Sequence, residues 1–178
     1  CSVAGMTSDA TTLINHMRII SEQHYLQYQE VITCEKLVSH VCDLKQAYTQ
    51  LGGYRPFGVS LLYAGWDCQD GFQLYQSDPS GNYSGWKATC IGKNHEEGVS
   101  LLKTDYMDNM NFSQAVKFIL DVLNKTIDKK PISSENVEIG YITLKDGGLV
   151  YHMMEKNQID NLLQAFPAHS SISSQIHS

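Results

Sequence analysis

The sequence predicts an α+β chain, folded as a four-layer α/β/β/α sandwich in which helices cover the outer faces of two packed antiparallel sheets. Three observations carry that prediction. Amphipathic segments of helical period come in pairs. Between the pairs lie short segments of period two, joined by tight turns that suit antiparallel pairing. No linker or internal repeat divides the chain, so one domain is expected over residues 1–166. The Ser-rich, polar stretch 167–178 has little to bury and is expected to be a mobile tail.

The elements follow in order. Ser2 to Gly5 reads as the end of a strand. Thr7, Ser8 and Asp9 offer N-caps for a helix with Leu13, Met17 and Ile20 at helical spacing, fading near Tyr28. A second helix starts at Thr33, with Leu37, Val41, Leu44 and Tyr48 on one face, and Gly52-Gly53 ends it. Phe57, Val59, Leu61 and Tyr63 then alternate with smaller residues, as in a strand packed between layers. Phe72 to Gln76 is a second strand. Asp78-Pro79-Ser80-Gly81 is turn chemistry, because Pro presets φ and Gly accepts positive φ. Trp86 to Ile91 reads as the third strand. Asn94 caps a helix lined by Val99, Leu102 and Tyr106. Another helix runs from about Ser113, with Val116, Ile119, Leu120, Leu123 and Ile127 as its stripe. Val137 to Leu144 and Leu149 to Met154 are strands around an Asp146-Gly147-Gly148 hairpin turn. Asn157 caps a last helix that buries Ile159, Leu162, Leu163 and Phe166.

Composition narrows the classes. Of the 178 residues 42% are hydrophobic and 18% charged, which suits a packed core. A net charge of −6 argues against a nucleic-acid surface. Nothing approaches the run of about 20 apolar residues that crosses a membrane. The five cysteines Cys1, Cys34, Cys42, Cys68 and Cys90 are odd in number and lack CxxC spacing, so free thiols are expected rather than disulfides or zinc. No basic-then-apolar leader opens the chain. The sequons at Asn82, Asn111 and Asn124 are therefore expected to be chance occurrences.

Chemistry leaves weak marks. The histidines form no HExxH and none stands four residues from another ligand type. His95-Glu96-Glu97 resembles a ligand cluster but fits a solvated first helical turn, where carboxylates favour the dipole. Gly92-Lys93-Asn94 lies where a phosphate loop would, yet the first Gly of that motif would fall on Lys87 and its hydroxyl residue is Asn94. No G-x-S-x-G occurs, and Ser80 and Ser84 fit turn formation. Asp67, Asp70 and Asp78 gather near strand ends and are the candidate paired carboxylates; loop aspartates more often serve turns. Cys1 is the sharpest option, since a free N-terminal amine can activate its own side-chain nucleophile. Against it, Ser2 to Gly5 runs straight into a helix, which leaves no room for strands around such a nucleophile. No catalytic, cofactor-binding or metal residue is assigned, and no cofactor is expected.

The stretches RPFGVSLLYAGWD and LYQSDPSGNYSGWKATCIG, within Arg55 to Gly92, resemble the alpha subunits of the 20S proteasome. CSVAGMTSDA, LVSHVCDLKQAYTQLGG, VLNKT and VEIGYITL are similar to further segments of that family, so the likeness covers about Cys1 to Phe166. The resemblance implies the N-terminal-nucleophile hydrolase fold without its nucleophile. It also implies a non-catalytic structural subunit of a threonine-protease complex, placed in the outer alpha ring. Such a subunit takes part in ring assembly, substrate entry and regulator docking during ubiquitin-dependent protein degradation. The implied partners are neighbouring alpha subunits, beta subunits and regulatory particles, and the implied location is cytoplasm and nucleus. Neither nucleic acid nor membrane is implied as a partner. The family's N-terminal helix and first strands would precede Cys1, so the chain is expected to be N-terminally incomplete. The gating and activator-docking residues belong to that part, and none is carried over. The alternative is an amidohydrolase that uses Cys1 as nucleophile.

Overall fold

Strand β2 (Val59–Asp67) is the strand around which the first part of the molecule is assembled. The computed structural model describes residues 1–127, 131–145 and 147–165. Its contacts gather into two compact units, Cys1–Lys103 and Thr104–Ser178. In the first unit β2 lies between β1 (Ser2–Gly5) and β3 (Gly71–Ser77), and β4 (Tyr83–Gly85) completes a four-stranded sheet ordered β1-β2-β3-β4. All three pairings are antiparallel, with Val3 opposite Leu61, Tyr63 opposite Tyr75, and Ser77 opposite Tyr83.

The alternation read from the sequence sets the two faces of this sheet. Phe57, Val59, Leu61 and Tyr63 are buried on one side. Helices α1 (Thr7–Tyr28) and α2 (Cys34–Gln50) cover that side through Ala10, Leu13, Val38, Val41 and Cys42. Each such aliphatic side chain contributes about 1.5–3 kcal/mol when removed from water. The stripe of α2 is turned from the expected one. Val38, Val41, Cys42 and Lys45 are buried, whereas Leu37, Leu44 and Tyr48 are half-buried. Hydrophobicity alone chose the wrong centre, because the helix also buries a cation. The far side of the sheet carries Leu62, Ala64 and Trp66, with Phe72 and Leu74 across from Trp66 and Ala64.

Local chemistry explains the remaining differences in this unit. The N-cap of α1 is Met6, in extended conformation and without a side-chain cap bond, rather than Thr7, Ser8 or Asp9. Asp9 is one turn further in, and its carboxylate is engaged elsewhere. The third strand lies earlier than Trp86–Ile91. The turn closes through Asp78 N–H donating to the Asn82 carbonyl (3.0 Å) and Gly81 N–H to the Asp78 carbonyl (3.2 Å). Pairing therefore resumes at once with Tyr83 opposite Ser77. Trp86 adds one more bond, to the Leu74 carbonyl at 2.9 Å. Beyond it the chain turns away, with the Thr89 hydroxyl on Gln76 Oε1 at 2.6 Å. Asn94, expected as the N-cap, has φ +56° ahead of α3 (His95–Asp105), which buries Leu102.

The second unit is built on a hairpin, β5 (Gly140–Lys145) and β6 (Gly148–Met153), with α4 (Phe112–Thr126) and α5 (Lys156–Ala165). A capping box starts α4: Asn111 Oδ1 accepts from Gln114 N–H and Gln114 Oε1 from Asn111 N–H, each at 2.9 Å. Val116, Leu120 and Val137 form the core, with Ile132, Ile139, Met154, Leu162 and Leu163 against it. Ile119, assigned to the apolar stripe, is 53% exposed. β5 begins at Gly140, not Val137, because Asn136 and Val137 N–H groups both bond the Ser133 carbonyl at 3.1 Å. Asn157 lies inside α5 rather than capping it. Gln158 Oε1 instead accepts from Glu155 N–H at 3.0 Å. Tyr141 stacks on His152 at 4.8 Å and meets Phe112 at 4.8 Å on one face of the hairpin. Ile142, Leu144, Leu149, Tyr151 and Met153 occupy the other face. Gly147 takes φ +78° at the expected turn. Asp146, Phe166 and the tail 167–178 lie outside the described residues.

The turn after β3 presses on α2 through Gly81, at φ +90°, where a β-carbon would lie 2.6 Å from the Cys42 carbonyl oxygen and 2.8 Å from Gln46 N. Both contacts are backbone and cannot give way cheaply. Gly81→Ala should therefore lower the unfolding free energy by about 1–3 kcal/mol in urea titration; an unchanged midpoint would refute this packing.

Candidate functional site

The three candidate carboxylates do not converge. Asp67 ends β2 and Asp78 follows β3, so the length of β3, about 20 Å at strand rise, separates them. Asp67 is an acceptor hub. Its Oδ1 takes Gln69 N–H (3.1 Å) and Asp70 N–H (2.9 Å). Its Oδ2 takes Cys34 N–H (3.1 Å) and Gln73 Nε2 (2.7 Å). The backbone bond from Asp70 and the side-chain bond from Gln73 lead in holding its pKa down to about 2. Such a group joins the start of α2 to the end of β2 but makes a poor proton acceptor at neutral pH. Asp78 Oδ1 accepts Ser80 N–H (2.8 Å), the Ser80 hydroxyl (2.5 Å) and Asn82 N–H (3.3 Å), which fixes the turn. Asp70 is exposed.

The other candidates serve local structure. Ser80 is tied into the Asp78 turn, and Ser84 is exposed opposite Gln76. Cys1 is exposed, with its thiol on the Ser2 carbonyl at 3.9 Å. His95 Nδ1 turns back to the Gly92 carbonyl at 3.0 Å, while Glu96 and Glu97 face solvent in the first turn of α3. Among the described residues no three His, Cys, Asp or Glu side chains form a group that could hold a metal ion.

Two polar centres escaped the sequence reading. In the first, Arg55 donates to both oxygens of buried Asp9, at 2.6 and 2.9 Å, and Gly58 N–H adds a bond to Oδ2 at 2.9 Å. The Arg55 hydrogen bond, followed by Gly58, holds the Asp9 pKa down to about 2. The second centre is Lys45, which is fully buried. Its Nζ donates to the Val59 carbonyl (3.1 Å) and to Ser77 Oγ (2.9 Å), and Ser77 Oγ also meets Tyr63 Oη at 2.9 Å. Burial pushes the Lys45 pKa down and those of Tyr63 and the neighbouring Cys42 thiol up. Enclosed in this way, the cluster is closed to substrates and acts as a tie between helix and sheet. The one signal for it in the sequence is a lysine at the i+4 and i+7 positions from Val41 and Val38.

The surface carries a different feature. An open cleft of about 540 Å³ lies along the C-terminal half of α1 and the start of α2, lined among others by Ile20, His24, Ile32, Lys36 and His40. Beside it large apolar side chains reach solvent: Ile19, Tyr25, Leu26, Tyr28 and Val31, the last 82% exposed. Exposed apolar patches are a common feature of contact surfaces.

Comparison with known proteins places the chain in a family. A family model described as proteasome subunit matches residues 1–142. The chain is 49% identical over 170 residues to proteasome subunit alpha type-4 of Drosophila melanogaster, covering 93% of this chain and 64% of that one. It is 50% identical over 165 residues to the Dictyostelium discoideum protein of the same name, with coverages of 92% and 66%. Against the Spinacia oleracea protein of that name it is 49% identical over 164 residues, with the same coverages of 92% and 66%. The chain thus spans just under two-thirds of the length of these curated relatives.

Two outcomes test the polar centres. The Asp9 pKa is about 2 folded against 3.8 as its ordinary value, so its contribution is complete above 3.8 and disappears as pH falls toward 2. Denaturation midpoints of the wild type should fall through that window more steeply than those of Asp9→Asn; parallel curves would contradict the pairing. Lys45→Met leaves the Val59 carbonyl buried without its donor and should lower stability by about 1–3 kcal/mol. Adding Ser77→Ala to Lys45→Met should cost less than the two single changes summed; strict additivity would show the bond to be idle.

Proposed function

The chain belongs to the proteasome subunit family, and we propose that it works as a non-catalytic alpha subunit in the outer ring of the 20S core particle. Its task in this reading is assembly. It buries its sides against neighbouring alpha subunits and one face against beta subunits, in protein degradation that depends on ubiquitin. Regulatory particles dock on the ring that it helps to form, and substrate chains enter through the opening that the ring encloses. Cytoplasm and nucleus are the proposed locations.

One observation supports this reading above others. Ile19, Tyr25, Leu26 and Tyr28 in the second half of α1, and Val31 just beyond it, are large apolar side chains exposed to solvent. Obligate interfaces are apolar and large, and such side chains are their usual anchors. The finer fold is proposed on similar grounds: each of the two sheets has an apolar face beyond the one its own helices cover. Leu62, Ala64, Trp66, Phe72 and Leu74 form one such face, and Ile142, Leu144, Leu149, Tyr151 and Met153 the other. Such faces suit packing against a further sheet, and the four-layer α/β/β/α sandwich is the finer fold proposed. An experimental structure without two packed antiparallel sheets would sink that fold.

The assembly reading is tested at Leu26 and Val31, which are 66% and 82% exposed and contribute little to the fold of the chain itself. Leu26→Asp and Val31→Asp should leave the circular dichroism of the isolated chain unchanged. Incorporation into core particles, followed on native gels, should drop by about tenfold or more, since a charge buried at an interface costs several kcal/mol. Full incorporation of both variants would remove this patch from the interface.

A further inference from the structure

Lys45 lies in the core as a cation with no anion beside it. Its side chain is fully buried, and among the described residues Nζ has two acceptors, the Val59 carbonyl at 3.1 Å and Ser77 Oγ at 2.9 Å. No carboxylate among those residues comes within ion-pair distance of Nζ. The elements packed around it offer neutral groups instead. From α2 comes the Cys42 thiol, one turn back along the helix. From β2 comes the Tyr63 hydroxyl, joined to Lys45 through Ser77 Oγ, and from β4 comes Tyr83, opposite Ser77. Burial raises the pKa of both Cys42 and Tyr63, which disfavours the anion that either could become. Asp78, in the turn after β3, acts on Lys45 from a distance, with its Oδ1 already given to Ser80 and Asn82.

An ammonium carries three N–H groups and an amine carries two. Two bonds are what Lys45 makes, so both survive the loss of one proton, and the charge that burial penalises goes with it. We propose that Lys45 is a proton-release centre of the core: in mildly alkaline solution Nζ passes from ammonium to amine inside the intact fold, and ties α2 to the sheet more firmly for having lost its charge. One N–H bond breaks, its electron pair stays on Nζ, and hydroxide takes the proton to give water. The direction of the effect on stability follows. Burial holds the folded Lys45 below the ordinary lysine value of 10.5. Between the two values the unfolded chain binds more protons than the folded one, so stability rises with pH. The contribution is complete above 10.5 and is lost as pH falls through the folded value. Cys42 and Tyr63 work the other way, because their raised values weaken the fold above their ordinary 9.0 and 10.0. Lys45 thus makes the contact between α2 and the sheet respond to alkali in the sense opposite to its neighbours.

Carbon-13 NMR of the lysine Cε groups in the natural, full-length protein is the test, with Lys45 assigned through its own backbone. Its Cε resonance should move at lower pH than that of lysine in an unstructured reference peptide, while the amide signals of α2 and β2 keep their folded positions. Urea midpoints give a second measurement. The gap between wild type and Lys45→Met should widen as pH is raised from about 7 to about 9, since both proteins carry Cys42 and Tyr63 and differ in the lysine. The proposal is overturned if Lys45 titrates with the reference peptide or above it, which would mean that a third acceptor, such as a buried water, holds the ammonium. It is equally overturned if the folded amide signals vanish as Lys45 titrates, or if the gap in midpoints stays constant or narrows. Should Lys45→Met fail to fold, the Cε titration and the amide signals of the unaltered protein decide by themselves.

Discussion

A buried carbonyl must have a donor, and at Val59 that donor is Lys45. Val59 is the first residue of β2, and it directs its carbonyl to the side where β3 runs. β3 ends at Ser77 and turns away at Asp78, so no strand remains to pair with Val59. The Lys45 ammonium reaches across from α2 and takes that carbonyl together with the Ser77 hydroxyl. The desolvation of a cation is severe, which is why its pKa is pushed down. The alternative, an orphaned carbonyl in the most buried part of the sheet, is also costly. Several features depend on this solution. It sets the rotation of α2, places Val38, Val41 and Cys42 on the sheet, and brings the α2 backbone against Gly81 of the turn.

The same economy recurs at the edges of the sheet. Asp9 spends its carboxylate on Arg55 and Gly58, so it locks the junction between β1, α1 and the entry to β2. Asp67 does the equivalent at the far end of β2, where it collects the first N–H of α2 and the loop into β3. Carboxylates with depressed pKa values are often read as signs of an active site. Here each is saturated by backbone and side-chain donors, so the shift reports structural work.

What remains for function lies on the outside. Asp9, Lys45, Asp67 and Asp78 are engaged in turns and ties, while large apolar side chains stand exposed at the end of α1 and on the β5–β6 hairpin. These side chains stand exposed in a chain that belongs to the proteasome subunit family.

The sequence by itself determined the number, type and order of the elements. Periodicity and turn chemistry are local, and they marked six strands and five helices in the order found among the described residues. The motifs from Arg55 to Gly92 identified the family for the same reason, since they are contiguous. It did not determine where Trp86–Ile91 would leave the sheet, which side of α2 would face inward, or what Asp9, Asp67 and Lys45 would do. Those outcomes hinge on partners 33 to 49 residues away in the chain for Asp67 and Asp9. For Lys45 they hinge on a strand that ends two residues too soon to satisfy its neighbour's carbonyl. Hydrogen-bond satisfaction in a buried place is a property of the assembled structure, and only there could a lysine become part of the core.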